Sequence, residues 1–294
     1  MTTATQKAGS GPERRPGNGV LVDAGWLAEH LSDPDLRVVE VDVSPAAYDS
    51  WHIDGAVLWN VYADLKDADY HTADAVALER LVARSAIGPD STVVFYGYAP
   101  ALGLWLMKLY GHSDVRILDC SKDTWRAAGY PWTIRRSEAP ASGYRLGDED
   151  FHLRADQAAV RDAINQPSTT IVDVRSSAEY RGDCFWPSGG MEPGGRTGHV
   201  PSAVHQPVDG LYNSDGSFRS AAELRSLFSP AIVDGDGELI TYCTIGGRAS
   251  TAWFVLTHLL GRSQVRVYDG SWAEWGRAAD TSVERHKAIR PEPS

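Results

Sequence analysis

One cysteine stands where its charge would matter. In the stretch ITYCTIGGRASTAWFVLTHLLG, Ile240 to Gly261, an apolar strand runs into Cys243, then Thr244, Ile245, Gly246 and Gly247, then Arg248, then a helix-forming run. A thiol is a weak nucleophile until it ionises. A short loop with two glycines can curl so that its amides converge on one point and an anion comes close. The helix, expected to begin just after Arg248, turns unpaired N–H groups and the positive end of its dipole toward that point. Arg248 adds a fixed cation. Together these favour a thiolate, or any anionic adduct, on Cys243.

The elements around the loop explain its position. In the second half, Asp156 to Ile164 reads as a helix and Thr169 to Val174 as a buried β-branched strand. Ser220 and Glu223 form a capping-box signature ahead of a helix over 221–228. Glu238 to Tyr242 is the next strand, Thr251 to Leu260 a helix ended by Gly261, and Gln264 to Asp269 another strand. This alternation predicts an α/β fold, a mainly parallel sheet with helices on both faces. In such a sheet, the loop beyond a strand's carboxyl end opens into the ligand crevice.

The chain is one domain written twice. Val115–Trp125 (VRILDCSKDTW) recurs as Val265–Trp275 (VRVYDGSWAEW), and Leu106–His112 as Leu256–Arg262. Upstream, Val41–Tyr48 matches Val172–Tyr180, and His52–Val57 (HIDGAV) matches His199–Val204 (HVPSAV). The expected division is a tail over 1–19, a first domain over 20–132, a polar linker over 133–150, a second domain over 151–283 and a tail over 284–294. The halves differ in two places. The segment between Tyr180 and His199 is enlarged and rich in glycine and proline, and the first half has Gly97 opposite Cys243 in a shorter loop. The first half is therefore expected to be non-catalytic and the second catalytic.

Composition narrows the classes. The net charge of -11 over 294 residues argues against general nucleic-acid binding. No apolar run has the ~18 residues of a membrane helix, so no membrane partner is expected. The first 19 residues are polar, with no apolar h-region, and a cytoplasmic setting is expected. Three cysteines, Cys120, Cys184 and Cys243, make no disulfide framework, and the scattered histidines make no zinc spacing. Neither a metal nor a cofactor is expected.

The motifs YDSWHIDGAV, GHVPSAV, YCTIGGRAS and YDGSWAEW resemble the two-domain rhodaneses, the thiosulfate and 3-mercaptopyruvate sulfurtransferases. The likeness runs from about Val20 to Val283 and looks closest to the thiosulfate sulfurtransferase type common in actinobacteria. It implies tandem rhodanese-like domains and a persulfide on Cys243. Sulfur would come from thiosulfate or mercaptopyruvate and go to cyanide, a thiol or a sulfur-accepting protein, with no cofactor. The loop Thr244 to Gly247, with Arg248, would cradle the substrate sulfur. Thr244 stands where thiosulfate-type members usually carry a cation, and Gly247 where the actinobacterial type has a glutamate. Glu179 stands where mercaptopyruvate-type members have an arginine, so Arg181 and Arg196 become the candidates to meet a carboxylate donor.

Other residues have supporting parts. Asp173 is expected to orient Arg175 or Arg248 by a charge-assisted hydrogen bond. His52 and His199 precede equivalent turns in both halves and read as structural. Cys120 and the tryptophans Trp272 and Trp275 also read as structural, whereas Trp59, Trp105 or Trp186 could line the site. Cys184, in the enlarged segment, reads as an ordinary loop thiol. Only four residues separate Cys243 from Arg248, one fewer than in the related cysteine phosphatases, which disfavours phosphate. The alternative from another class is a non-catalytic persulfide carrier or sensor serving one protein partner.

Overall fold

The computed structural model describes residues 19–137 and 140–285. The tails expected at 1–19 and 284–294 lie outside these residues except for Gly19, Glu284 and Arg285. The last two are not loose. Glu284 and His199 exchange backbone hydrogen bonds of 2.9 Å each way, and Arg285 Nε donates to the Thr197 carbonyl at 2.7 Å.

The first half contains β1 (Leu21–Val22), β2 (Leu36–Asp42), β3 (His52–Ile53), β4 (Val57–Asn60), β5 (Thr92–Gly97), β6 (Val115–Leu118) and β7 (Trp132–Thr133). The second contains β8 (Arg154–Ala155), β9 (Thr169–Asp173), β10 (Val204–His205), β11 (Glu238–Tyr242) and β12 (Val265–Tyr268). Two five-stranded sheets form, with orders β1-β6-β5-β2-β4 and β8-β12-β11-β9-β10. All their pairings are parallel. The orders superimpose strand for strand, as the sequence repeat requires. Central strands are buried on both faces, which is why Val38, Val39, Val93, Val94, Ile171, Val172, Leu239 and Ile240 run without polar alternation.

The halves meet through two equivalent helices, Pro100–Leu109 and Gly247–Phe254. A helix pressed between a sheet and another helix must be apolar all round. Ala101 to Met107 are all buried, and a Cβ at Gly103 would lie 2.6 Å from the Phe95 ring. Trp105, Met107, Trp253 and Leu256 share one continuous core. The predicted helix over 251–260 is longer and less regular than expected. It starts at Gly247, becomes a π-helix over Val255–Leu259, and closes with Leu260 N–H donating to Val255 O at 2.9 Å.

The repeated histidines are structural. His52 Nδ1 lies 2.9 Å from Tyr48 O and stacks on the Tyr48 ring; His199 Nδ1 lies 2.8 Å from Tyr180 O and stacks on Tyr180. Trp272 and Trp275 are buried in the second half's own core cluster. The expected linker is a pinned strap. Thr133 belongs to β7, while the amides of Ser142, Gly147 and Asp150 donate to Ala83, Tyr110 and Leu109 carbonyls at 2.8–3.0 Å. Tyr144 and Leu146 pack on the core. No helix among the described residues is long and apolar enough to cross a membrane.

Candidate active site

Cys243 follows β11, the central strand of the second sheet, and precedes the helix Gly247–Phe254. Gly246, at φ +94°, caps that helix, and its N–H donates to Cys243 Sγ at 3.1 Å. A Cβ at Gly246 would lie 3.0 Å from the Asp269 carbonyl and 3.3 Å from Lys66 Nζ, so both space and backbone favour glycine. The amides of Thr244, Ile245, Gly247 and Arg248 have no acceptor among the described residues. They are free for an anion, as at other helix N-termini.

The loop is held from below. Cys243 N–H donates to Ser271 Oγ at 3.1 Å, and Ser271 donates in turn to Tyr268 O at 2.7 Å. Trp272 and Ala273 amides donate to the Cys243 and Thr244 carbonyls at 3.0 and 2.9 Å. Ser271 adopts φ +54°, a conformation that costs a non-glycine residue on the order of 1–3 kcal/mol. It places the hydroxyl beneath the cysteine.

Cys243 is 1% exposed, yet it is not sealed in the core. It lines a cavity of about 70 Å³. The second half contributes the loop, Arg248, Trp186 and Pro187 to its walls. Val43, Val61, Tyr62, Tyr98 and Ala99 come from the first half. The loop that lacks a cysteine thus walls the cavity of the loop that has one. A larger groove of about 1020 Å³ lies at the opposite ends of β9 and β11, among Thr169, Glu238 and Arg266. It contains no cysteine, and Arg266 there pairs with Glu238 at 2.6 Å.

Arg248 is held in place by a carboxylate that the sequence reading did not assign to it. Its Nη1 and Nη2 donate to both oxygens of buried Glu179 at 2.9 and 2.7 Å, and Nη2 also donates to Thr244 Oγ1 at 2.8 Å. Thr244 donates to Glu179 at 2.6 Å. Glu179 also closes a capping box with Ser176, whose N–H and Oγ donate to it at 3.1 and 2.8 Å. One carboxylate therefore ties the helix Ser177–Arg181 to the cysteine loop. Burial alone would raise the Glu179 carboxyl; Arg248, with the Thr244 and Ser176 hydroxyls, more than reverses this and holds it at about 2. Because the folded value lies below the ordinary 4.5, the stabilisation is complete above that pH and disappears as pH falls toward 2. Between those limits the wild type is expected to lose up to about 1.4 kcal/mol per pH unit relative to Glu179→Gln, measured by urea denaturation at stepped pH.

Beneath the loop lies a second buried pair. Lys66, from the first half, donates to Asp269 O at 3.0 Å, and its Nζ lies 3.9 Å from Asp269 Oδ2. Burial lowers the Lys66 ammonium, opposed by Asp269 and Cys243. Asp269 also accepts from Arg154 Nε at 2.9 Å and from Thr72 N–H at 2.9 Å. Lys66→Met keeps the stem and removes the charge, leaving Asp269 with Arg154. We expect a loss of about 1–3 kcal/mol in urea denaturation, less than for an acid left wholly unpaired.

Comparison with known proteins now bears on this geometry. The Rhodanese-like domain matches residues 23–128 and 156–278. The chain belongs to the rhodanese-like family. A "Putative thiosulfate sulfurtransferase" of Mycolicibacterium smegmatis is 38% identical, covering 90% of this chain and 97% of that one. The "Sulfur carrier protein TtuD" of Thermus thermophilus is 37% identical over 90% and 96% of the two chains. Among solved structures, YnjE superimposes with a TM-score of 0.79 at 24% identity, covering 94% of this chain and 70% of that one, a likeness of fold alone.

This rhodanese-like chain places the remaining candidates away from the thiol. Asp173 accepts from Arg175 Nε at 3.0 Å and Nη2 at 2.6 Å and from Tyr242 O–H at 2.5 Å, but not from Arg248. Arg175 is fully buried, lies over Trp272 and donates to Gly198 O at 2.7 Å, so it braces the fold and does not line the cavity. Arg196 is a clamp on the chain's end, donating to the carbonyls of Gly276, Trp275, Ala278 and Thr281. Arg181 is exposed and pairs with Asp183. Neither arginine reaches the cavity, because each guanidinium is engaged locally.

The enlarged segment does fold over the site, but through Trp186 and Pro187. Cys184 is buried and does not line the cavity, and Cys120 lies in the first half. Burial, with nearby Asp119, Asp215 and Asp23, pushes the Cys120 thiol up to about 12, which suits an inert role. Trp59 and Trp105 donate to Ser85 Oγ and Leu153 O and stay in the core. The sequence reading missed Glu179 as an anchor, Lys66, Ser271, and the tyrosines Tyr62 and Tyr98.

Proposed function

We propose that this rhodanese-like protein is a sulfurtransferase that carries sulfane sulfur as a persulfide on Cys243. The observation that carries the reading is the Gly246 N–H at 3.1 Å from Sγ, at the edge of a cavity beside unpaired loop amides. In the first half-reaction the Cys243 thiolate attacks the outer sulfur of thiosulfate or the thiol sulfur of 3-mercaptopyruvate. The donor's bond to that sulfur breaks, and its electron pair leaves with sulfite or with the enolate of pyruvate. The persulfide anion then rests against the loop amides, which are preorganised and lose no hydrogen bonds on accepting it. In the second half-reaction cyanide, a thiol or a protein thiol takes the outer sulfur, and Cys243 recovers its electron pair. Neither step calls for a cofactor, and a cytoplasmic setting suits a free thiol.

Thr244, Ile245, Gly246, Gly247 and Arg248 cradle the sulfur in this scheme, while Glu179 and Lys66 fix the cradle. A second reading, a persulfide carrier serving one protein partner, is favoured by the name of the Thermus relative. Steady-state turnover with thiosulfate or mercaptopyruvate and cyanide separates the two. Catalytic turnover with these small molecules supports the transferase; loading without discharge except to a protein supports the carrier. Failure of any donor to load Cys243 refutes both.

A further inference from the structure

Each half of the molecule lays a hairpin on the other half, and the two hairpins differ at the position that lies under the cysteine loop. Resting on the persulfide reading above, we propose that Lys66 is a positioning residue for sulfur transfer: the first half supplies its ammonium beneath Gly246, where the charge favours an anion on the sulfur of Cys243.

The hairpins are related by the repeat. Lys66 pairs with Thr72 in an antiparallel bridge in the first half, as Tyr212 pairs with Phe218 in the second. The Thr72 amide donates to Asp269 Oδ2 at 2.9 Å, and the Phe218 amide donates to Asp119 Oδ1 at 2.7 Å. Asp119 and Asp269 occupy the same place in the repeated block, directly after β6 and β12. Tyr212 is therefore the counterpart of Lys66. The hairpin that reaches the half with Gly97 carries a phenol there; the one that reaches the half with Cys243 carries a buried ammonium. Burying a lysine is costly, and the other hairpin docks on its aspartate with a tyrosine in that place, so docking alone does not call for the charge.

The charge lies close to the sulfur. Lys66 Nζ is 3.3 Å from where a Gly246 Cβ would stand, and the Gly246 N–H donates to Cys243 Sγ at 3.1 Å. One glycine thus separates the ammonium from the thiol. Asp269 does not cancel that charge. It is shared between Lys66 and Arg154, so the three groups together carry one positive charge. Glu149, the other partner of Arg154, and Asp67, next to Lys66, are both exposed and screened by water. Arg248, the cation within the loop itself, is matched by Glu179. Burial lowers the Lys66 ammonium, while Asp269 and then Cys243 favour its charged form. Linkage makes the last effect mutual: an anion at Cys243 holds the proton on Lys66, and the proton on Lys66 holds the anion. The Lys66 side chain is 1% exposed, so water weakens this interaction little. No bond to Lys66 forms or breaks in either half-reaction, and its protons stay on Nζ.

The test uses the full chain, free of bound sulfur. Alkylation of Cys243 by iodoacetamide is followed by peptide mapping between about pH 5 and pH 9, since the thiolate is the form that reacts. Lys66→Met is expected to move the rise of rate with pH to higher pH and to lower the rate at pH 7 at least about fivefold, with the high-pH plateau within about threefold of wild type. A merely mechanical role lowers the plateau and leaves the rise in place, and that result overturns the proposal. So does a profile equal to that of the wild type. The reciprocal measurement does not depend on the folding of Lys66→Met. It follows the isotope-labelled lysine ammonium groups by NMR as pH is raised, in wild type and in Cys243→Ser. Lys66 is expected to lose its proton at lower pH in Cys243→Ser, and loss at the same pH in both overturns the proposal. Loading by inorganic polysulfide, read as about 32 Da added on intact mass, separates the two readings. Sulfur loaded on Cys243 beside an unmoved alkylation profile removes this proposal alone. No sulfur on wild-type Cys243 removes the persulfide reading and this proposal with it.

Discussion

Cys243→Ser is expected to lower sulfur transfer by at least about a thousandfold while leaving the fold unchanged. Removal of a nucleophile, with its surroundings intact, typically has an effect of that order or larger. A serine hydroxyl fills nearly the same space and can accept the Gly246 N–H in place of the thiol, so stability should shift by no more than about 1 kcal/mol. It cannot hold sulfane sulfur as a persulfide. Steady-state assays with thiosulfate and cyanide, paired with thermal unfolding, check both halves of this expectation. Residual activity above a tenth of wild type in a folded variant would place the sulfur elsewhere.

Glu179→Ala has the second-largest expected effect, and it acts without touching the sulfur. The carboxylate is fully buried and receives Arg248, Thr244 and Ser176. Its removal strands a partly buried guanidinium and opens a capping box, at a cost of about 3–5 kcal/mol. The loop amides then lose their fixed direction. A displacement of about 1 Å at a reacting centre can cost on the order of a hundredfold in rate, and persulfide loading should fall by that much. Glu179→Gln keeps the shape and some of the hydrogen bonds, so it should lie between wild type and Glu179→Ala in both urea stability and loading rate. Wild-type values for Glu179→Ala in both measurements would show that the ion pair does not hold the loop.

Much of the fold was legible because its signals are local and doubled. Runs such as Thr169–Asp173 and Glu238–Tyr242 place apolar and β-branched residues side by side without the polar alternation of a one-sided sheet, and the repeated blocks fix the same strand order in each half. The cysteine loop was legible because strand, thiol, glycines, arginine and helix are contiguous. The loop's supports were not. Lys66 meets a carbonyl 203 residues away, and its neighbours Asp64, Asp67 and Asp69 make it look like part of a solvated charged turn. Arg196 looked like a substrate ligand because nothing in sequence distinguishes a guanidinium that binds anions from one that collects backbone carbonyls.

Glu179 could have been found. Ser176 and Glu179 have capping-box spacing at the start of a helix that follows β9, and Cys243 follows β11. These strands are parallel neighbours, so the segments beyond their carboxyl ends must lie side by side. Combining that adjacency with the charge of Arg248 points to a pair. Without it, the carboxylate that fixes Arg248 stays hidden.

The central claim is that sulfur is held on Cys243 and nowhere else. Intact-mass and peptide mapping after brief treatment with thiosulfate or polysulfide tests it most directly. The expected result is one added sulfur, about 32 Da, on the peptide containing Cys243, retained in Cys120→Ser and Cys184→Ser and absent in Cys243→Ser. Sulfur found on Cys120 or Cys184, or still present in folded Cys243→Ser, would contradict it.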